Sequence, residues 1–405
     1  MDFTKKRWIV LAACCMINLC LGMTYSWSVF AGHLAEKLNV ADLSIIYAIA
    51  VPWTPLAMIV GGYVNERIGP RKLYAILGVW YGLGIVASGL VASTGMLIIS
   101  FSFGVGLGSC ILYALIVNSS VKLFPDKRGL AGGIVTATFG LSSMIVSPIA
   151  SNLILRRGIT SAFIIIGVVF TIIISACVML VQPVPSGYVP SGWTPPVSAA
   201  NGIWVDKDWK QMIRTRSFYI MLFLFASGTF SGMMLISQAS AMAQRVPLMR
   251  IEMAAMMVSA LALSNTAGRL VCGALSDRIG RINALTVGLF STLGGILMLM
   301  LCGPGDYLLF GLGTSLVGFG FGAFLGVFPG FCSDRFGLKY HSTNYGVLFT
   351  GYSVVGVVGP SIAGRMYHAT ESYDRALAVA ALFSGFGLLL TLVYRVANGH
   401  KKVGH

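Results

Sequence analysis

The stretch "GALSDRIGR", Gly273 to Arg281, decides how this chain is read, because an earlier stretch repeats its spacing. In "GYVNERIGPRK", Gly62 to Lys72, the residues Gly62, Glu66, Arg67 and Gly69 stand at the intervals of Gly273, Asp277, Arg278 and Gly280. A further base follows each second glycine, Arg71 with Lys72 in one copy and Arg281 in the other. The two acids lie 211 residues apart in a chain of 405, about half its length. The first glycine lets neighbouring helices approach, and the second permits a tight turn. The acid can accept from a neighbouring helix N-terminus, and the bases anchor one side of a membrane. One copy would be an ordinary helix–turn–helix connector. Two copies at this interval point to a duplicated half-chain.

Each copy closes an apolar run. The chain is 56% hydrophobic and only 10% charged, with mean hydropathy +0.83, whereas soluble domains carry about 25% charged residues. Runs of about 20 apolar residues mean membrane-spanning helices rather than barrel strands. Twelve spans are expected, roughly at 8–31, 43–64, 73–93, 96–120, 129–151, 160–182, 217–243, 251–275, 284–303, 307–330, 344–367 and 376–396. The N-terminal apolar segment has no A-x-A-like cleavage site and reads as a retained first span. Between 183 and 196 five prolines forbid a helix, and the following "DKDWKQMIRT" reads as a short interfacial helix. Three regions result: an N-terminal six-helix bundle at 1–182, a cytoplasmic linker with its interfacial helix at 183–216, and a C-terminal six-helix bundle at 217–405. The expected fold class is an all-α membrane protein of twelve transmembrane helices in two six-helix bundles. Two such halves around a central path are the architecture of a transporter whose site lies at the bilayer midplane.

The net charge of +15 belongs to topology. One set of alternate segments, termini included, holds 20 of the lysines and arginines, the other set holds 7, and Arg269 completes the 28. This positive-inside bias places both termini in the cytoplasm of a cell with this protein in its cytoplasmic (inner) membrane, basic residues facing anionic lipid. No nucleic-acid partner is expected. The eight cysteines form neither a C-x-x-C pair nor a Cys/His cluster, so neither disulfide, metal nor other cofactor is expected. No nucleophile–base pair stands at membrane depth, which argues against an enzyme. "GVGLG", Gly104 to Gly108, lies inside a span with no preceding strand, and close helix packing explains it better than a nucleotide loop.

Arg269 is the most informative single residue. Eight residues separate it from Asp277, about 12 Å of helix against a half-bilayer core of about 15 Å. All thirteen acids fall in loops or at span ends, so no intramembrane carboxylate is available to it. A charge at such depth costs about 2.5–3.5 kcal/mol on insertion scales. Snorkelling toward the cytoplasmic interface is the bland alternative. The preferred reading is an anion receptor facing a wet cavity, since the guanidinium fork matches a carboxylate. Other intramembrane polar groups are Asn18, Asn118 and Gln238; a hydrogen bond to a neighbouring helix is the alternative role for each, and the preferred one for Asn18.

The paired loops resemble the signature loop of the major facilitator superfamily. "YSWSVF" in span one, "FPDKRGLAGG" between spans four and five, "DKDWKQMIRTRSFY" before span seven, "NYGVLF" in span eleven and the Arg269 stretch are similar to the oxalate/formate antiporter family, which lies near the monocarboxylate transporters. The resemblance runs through nearly the whole chain and implies alternating access with an anionic carboxylate substrate. It matches Arg269 to the family's carboxylate-binding arginine, and Tyr25 and Tyr113 to tyrosines of the family's site. Phe139, Phe321 and Phe349 fall where the oxalate transporter has tyrosine or tryptophan, and Leu325 replaces another tyrosine. Oxalate-exchanging relatives carry a second cation eight residues after the asparagine of "NYG"; here that position is Tyr352. Asn265 stands where monocarboxylate transporters have an aspartate implicated in proton coupling. Asn118 completes the candidate pocket. A single cation and more apolar walls imply a small monocarboxylate such as lactate, pyruvate or formate, moved as proton symport or anion exchange by a monomer. A dicarboxylate exchanger of the oxalate/formate type and a carboxylate sensor on a transporter fold are the alternatives.

Overall fold

Helices make up almost all of the structure, a computed structural model that describes residues 3–40, 43, 46, 49, 53–182, 184, 188–191, 193–194 and 206–399. In chain order they are α1 (Phe3–Leu21), continued by a 3₁₀ turn at Gly22–Ser26 into α2 (Trp27–Leu38), then α3 (Thr54–Ile68) and α4 (Pro70–Gly89). Next come α5 (Thr94–Leu123), α6 (Arg128–Leu180) and the short α7 (Trp209–Ile213). The rest are α8 (Arg216–Arg245), α9 (Ile251–Ile279), α10 (Arg281–Met300), α11 (Tyr307–Phe336), α12 (His341–Thr370) and α13 (Asp374–Gly399).

Among the described residues ten helical stretches are long and apolar enough to cross a membrane. One of them, α6, covers two expected spans, because Gly158 (φ 79°, ψ 164°) breaks its helical backbone. The expected span at 43–64 is described as a helix from Thr54 onward, and its earlier part lies largely outside the described residues. The fold is thus the twelve-span all-α membrane fold. α7 occupies the place of the expected interfacial helix; most of the proline-rich linker before it lies outside the described residues.

Large apolar side chains point outward along these helices, among them Leu155 at 81% and Leu308 at 76% exposure. Lipid is their natural solvent, and backbone groups must be satisfied within each helix there. Buried hydroxyls follow the same economy by bonding the carbonyl one turn back: Ser88 to Gly84, Thr229 to Phe225, Thr314 to Phe310. Ser93 and Thr215 cap α5 and α8 by accepting from Met96 and Phe218 amides.

The repeated loops share one backbone geometry. Gly69 (φ 85°, ψ 156°) ends α3 and starts α4, and Gly280 (φ 89°, ψ 155°) ends α9 and starts α10. A Cβ at either glycine would meet only open space. Glycine is required for the dihedral angles alone, a region closed to other residues. Matching turns in both copies support the reading of the sequence repeat as a structural one.

The chain forms two compact units. The first comprises Met1–Ala131, Thr138–Trp209 and Cys332–Val347; the second comprises Gly132–Ala137, Lys210–Phe331 and Leu348–His405. In the first, Tyr74 and Tyr81 are fully buried, donating to the carbonyls of Leu115 and Cys20. Its α5 contains a π-helical stretch, Ile98–Leu107, whose Gly104 lies against Gly84 of α4. The "GVGLG" glycines therefore serve helix approach. In the second, Phe230 stacks on Phe383 at 4.1 Å within a cluster that includes Met234, Leu299, Phe310 and Leu377.

Candidate functional site

Arg269 sits in α9, and all of the contacts described for it lie within the second unit. Its residue is only 1% exposed. The Nε–H donates to Asn265 Oδ1 at 3.0 Å, one turn earlier, and Nη1 donates to the backbone carbonyl of Thr136. Nη2 has no partner among the described residues. The expected wet-facing, unpaired guanidinium is corrected here: the group is enclosed and carries two neutral acceptors. The bond to Asn265 also aims the side chain back along its helix, away from the Asp277 end, as helical Cα–Cβ vectors dictate. It does not snorkel toward that interface.

Close packing explains the enclosure. A Cβ on Gly133 of α6 or on Gly326 of α11 would overlap the Arg269 carbonyl oxygen, and one on Gly322 would overlap that of Asn265. Three glycines thus let two helix backbones close over the turn 265–269. An unpartnered polar nitrogen on a buried cation is expensive to leave unmade. A carboxylate oxygen is the partner that would satisfy it best.

The other candidate residues form two aromatic groups, each within its own unit. In the first unit Phe139 meets Tyr25 edge-on at 5.0 Å and Tyr113 at 5.1 Å. Asn118, on the same helix as Tyr113, is buried, and its Oδ1 has no partner among the described residues. In the second unit Tyr352 lies 4.5 Å from Phe349 and 6.3 Å from Phe321 by ring centroids. Leu325, also buried, is one helical turn beyond Phe321. The structure adds Phe225, fully buried, which meets Phe349 at 5.6 Å and Tyr352 at 6.0 Å. Edge and offset contacts of this kind fix ring positions beyond what burial alone does.

The signature loops are charged and local. Asp277 Oδ1 accepts from Arg281 Nη1 at 2.6 Å, and the same nitrogen donates to Ser276 Oγ. The Arg281 guanidinium lies against Gly330 of α11. Arg278 is exposed, and so is Arg67, which lies over the Tyr63 ring at 4.4 Å and donates to its hydroxyl. Gly62 packs against Thr343 at the start of α12, and Gly273 against Gly133. The side chain of Glu66 lies outside the described residues. In "FPDKRGLA", Asp126 accepts from both terminal nitrogens of Arg7 at 2.7 and 3.1 Å, and Arg128 pairs with Asp334 at 2.8 Å.

The reading of the residues missed the Thr136 carbonyl, because a backbone acceptor leaves no trace in residue type. It also missed Gly322 and Gly326, although "GFGFGAFLG" at 318–326 carries the small-residue spacing of a close helix pair. Gln238, taken above as a helix-bonding polar group, accepts from the Tyr373 hydroxyl at 3.4 Å.

The family model of the Major Facilitator Superfamily matches residues 12–360. The chain is 28% identical to the uncharacterized MFS-type transporter YhjX of Escherichia coli, over 87% of this chain and 86% of that one. It is 26% identical to the oxalate:formate antiporter of Oxalobacter formigenes, covering 98% and 94%, and 24% identical to human monocarboxylate transporter 12, covering 95% and 79%. Among solved structures, the transporter FucP in its outward conformation matches with TM-score 0.74 at 13% identity, over 96% of this chain and 99% of that one.

Proposed function

The chain belongs to the major facilitator superfamily, in the neighbourhood of the oxalate/formate antiporters and monocarboxylate transporters, and from that premise we propose that this transporter carries small monocarboxylate anions of the lactate, pyruvate or formate kind. It is a transport protein and not an enzyme. The observation that carries the reading is the buried Arg269, with Asn265 and Thr136 holding two nitrogens and Nη2 without a partner among the described residues.

A carboxylate oxygen at Nη2 would replace an unmade bond by a charge-assisted one. Asn265 and the Thr136 carbonyl are both neutral, so neither cancels the positive charge of Arg269. One monoanion cancels that charge; a dianion would leave an excess negative charge in a low-dielectric site. Tyr352, at the position of the relatives' second cation, supports the same preference. Each aromatic group, by itself, offers apolar surface to a methyl group or short chain: Tyr25, Tyr113 and Phe139, with Asn118 as a polar group, in the first unit, and Phe321, Leu325, Phe349 and Tyr352 in the second. The halves 1–182 and 217–405, joined by the 183–216 linker, act as the moving bodies of alternating access, and the loops at Gly62–Arg71 and Gly273–Arg281 control it. The protein works as a monomer in the cytoplasmic membrane with both termini inside.

The 26% identity to the oxalate:formate antiporter keeps a dicarboxylate exchanger as the second reading. Uptake of labelled lactate, pyruvate and oxalate into proteoliposomes decides between them. Monocarboxylate uptake exceeding oxalate uptake is expected; tighter binding of oxalate than of lactate or pyruvate would reject the proposal. Repeating the assay with an imposed pH gradient, and with unlabelled anion inside, separates proton symport from exchange. A sensor would bind the anion without any uptake.

A further inference from the structure

At the end of the second unit remote from the signature loop, a cavity of about 270 Å³ opens between the ends of α8, α10, α12 and α13. Its floor is apolar, made by Met242, Leu299 and Leu377, all members of the core. Its rim is charged: Arg245 at the end of α8, Glu371 on the loop between α12 and α13, and Asp374 at the start of α13. Among the described residues none of these three charges forms an ion pair. The charge distribution of the sequence assigns this face to the outside.

The cation is held in a defined orientation. Arg245 lies over the Tyr367 ring at 4.1 Å and donates through Nη1 to the Tyr373 hydroxyl at 3.3 Å, which itself donates to Gln238. Tyr367 and Tyr373 pack at 4.6 Å, so the aromatic wall is braced. Burial pushes the Tyr373 phenol up, outweighing the Arg245 hydrogen bond and charge that pull it down. The loop is equally defined. Glu371 adopts a left-handed conformation (φ 51°), Thr370 donates to the Ser372 carbonyl, and the Asp374 amide donates to Ser372 Oγ. A guanidinium held by an aromatic ring and a hydroxyl, and two carboxylates, thus line one cavity together with buried apolar side chains.

We propose that this cavity is a binding site for a small zwitterion of the α-amino-acid type with an apolar side chain, separate from the Arg269 site. The guanidinium takes the carboxylate as a fork. The ammonium, with three donors, is shared by Glu371 and Asp374. The side chain enters the apolar floor, where it leaves water. A simple anion would face two carboxylates, and a metal cation or bare amine would face Arg245. A zwitterion answers all three charges.

The test is equilibrium binding to the full-length protein in detergent, with leucine, 4-methylpentanoate and 3-methylbutylamine as probes. Leucine should bind, and each analogue, lacking one charge, should bind about tenfold or more weakly, the loss expected for a charge-assisted contact. Arg245→Gln and the pair Glu371→Gln with Asp374→Asn should each weaken leucine binding by a similar factor, in protein that elutes and melts like wild type. Arg269→Gln should retain leucine binding, which keeps this test distinct from that of the transport site. Absence of leucine binding to well-folded wild-type protein would overturn the proposal. So would 4-methylpentanoate binding as tightly as leucine, or loss of leucine binding in Arg269→Gln.

Discussion

Arg269 is the centre of the proposed site, and its two bonded nitrogens are matched to neutral acceptors. The guanidinium is positioned without being neutralised. Replacing it with Gln removes a charge-assisted contact of about 1.5–3 kcal/mol, so monocarboxylate binding should fall at least roughly tenfold while the protein still inserts and folds. Arg269→Lys should fail comparably, since an ammonium cannot make the fork. Near-native binding by purified Arg269→Gln would remove the receptor role. Asn265→Asp is the complementary change. It places a carboxylate against Nε and competes with the substrate for the same charge. Monocarboxylate binding to this variant should therefore be weaker than to wild type. Wild-type affinity in this variant would count against the pairing.

At the scale of elements, two kinds of glycine do different work, and two substitutions separate them. Gly280 has open space where a Cβ would go, yet its φ of 89° and ψ of 155° suit glycine only. Gly280→Ala should cost about 1–3 kcal/mol of stability through backbone strain, read as a lower melting temperature, with substrate binding per folded molecule retained. Gly326 has ordinary helical geometry, but a methyl group there would collide with the Arg269 carbonyl. Gly326→Ala should instead move the Arg269 turn and weaken substrate binding beyond any change in melting temperature. If both variants lost stability and binding in the same proportion, this division would be wrong. Asp126, gripped by both terminal nitrogens of Arg7 with side chains 12% and 8% exposed, is a third element-level device. Breaking a pair this enclosed costs about 3–5 kcal/mol, so Asp126→Asn should be among the more destabilising single changes in detergent melts.

For the whole molecule the testable quantities are topology and substrate charge. Reporter fusions should place both termini in the cytoplasm, as the distribution of 20 basic residues against 7 requires. Tyr352 stands in an aromatic group with Phe321 and Phe349. Tyr352→Lys adds a second cation there, and should shift the ratio of oxalate to lactate uptake in proteoliposomes toward the dianion. An unchanged ratio would mean that residue 352 does not face substrate.

The sequence by itself determined what depends on local pattern and on the membrane as solvent. Apolar runs of spanning length, the basic bias and the acid–base–glycine repeat specify the helices, the duplication and the two equivalent turns at Gly69 and Gly280. Arg269 was legible too, because a lone charge among apolar residues stands out. Its environment was not. The Thr136 carbonyl belongs to a residue 133 positions away, and the enclosure by Gly133, Gly322 and Gly326 arises only when helix backbones meet. In sequence Phe225 is one membrane phenylalanine among many; only packing sets its ring beside Tyr352 and Phe349. The rim of Arg245, Glu371 and Asp374 is likewise assembled from separate helix ends. Periodicity and composition act along the chain, whereas acceptors for a buried cation and close approaches between backbones are properties of packing, which only the tertiary structure decided.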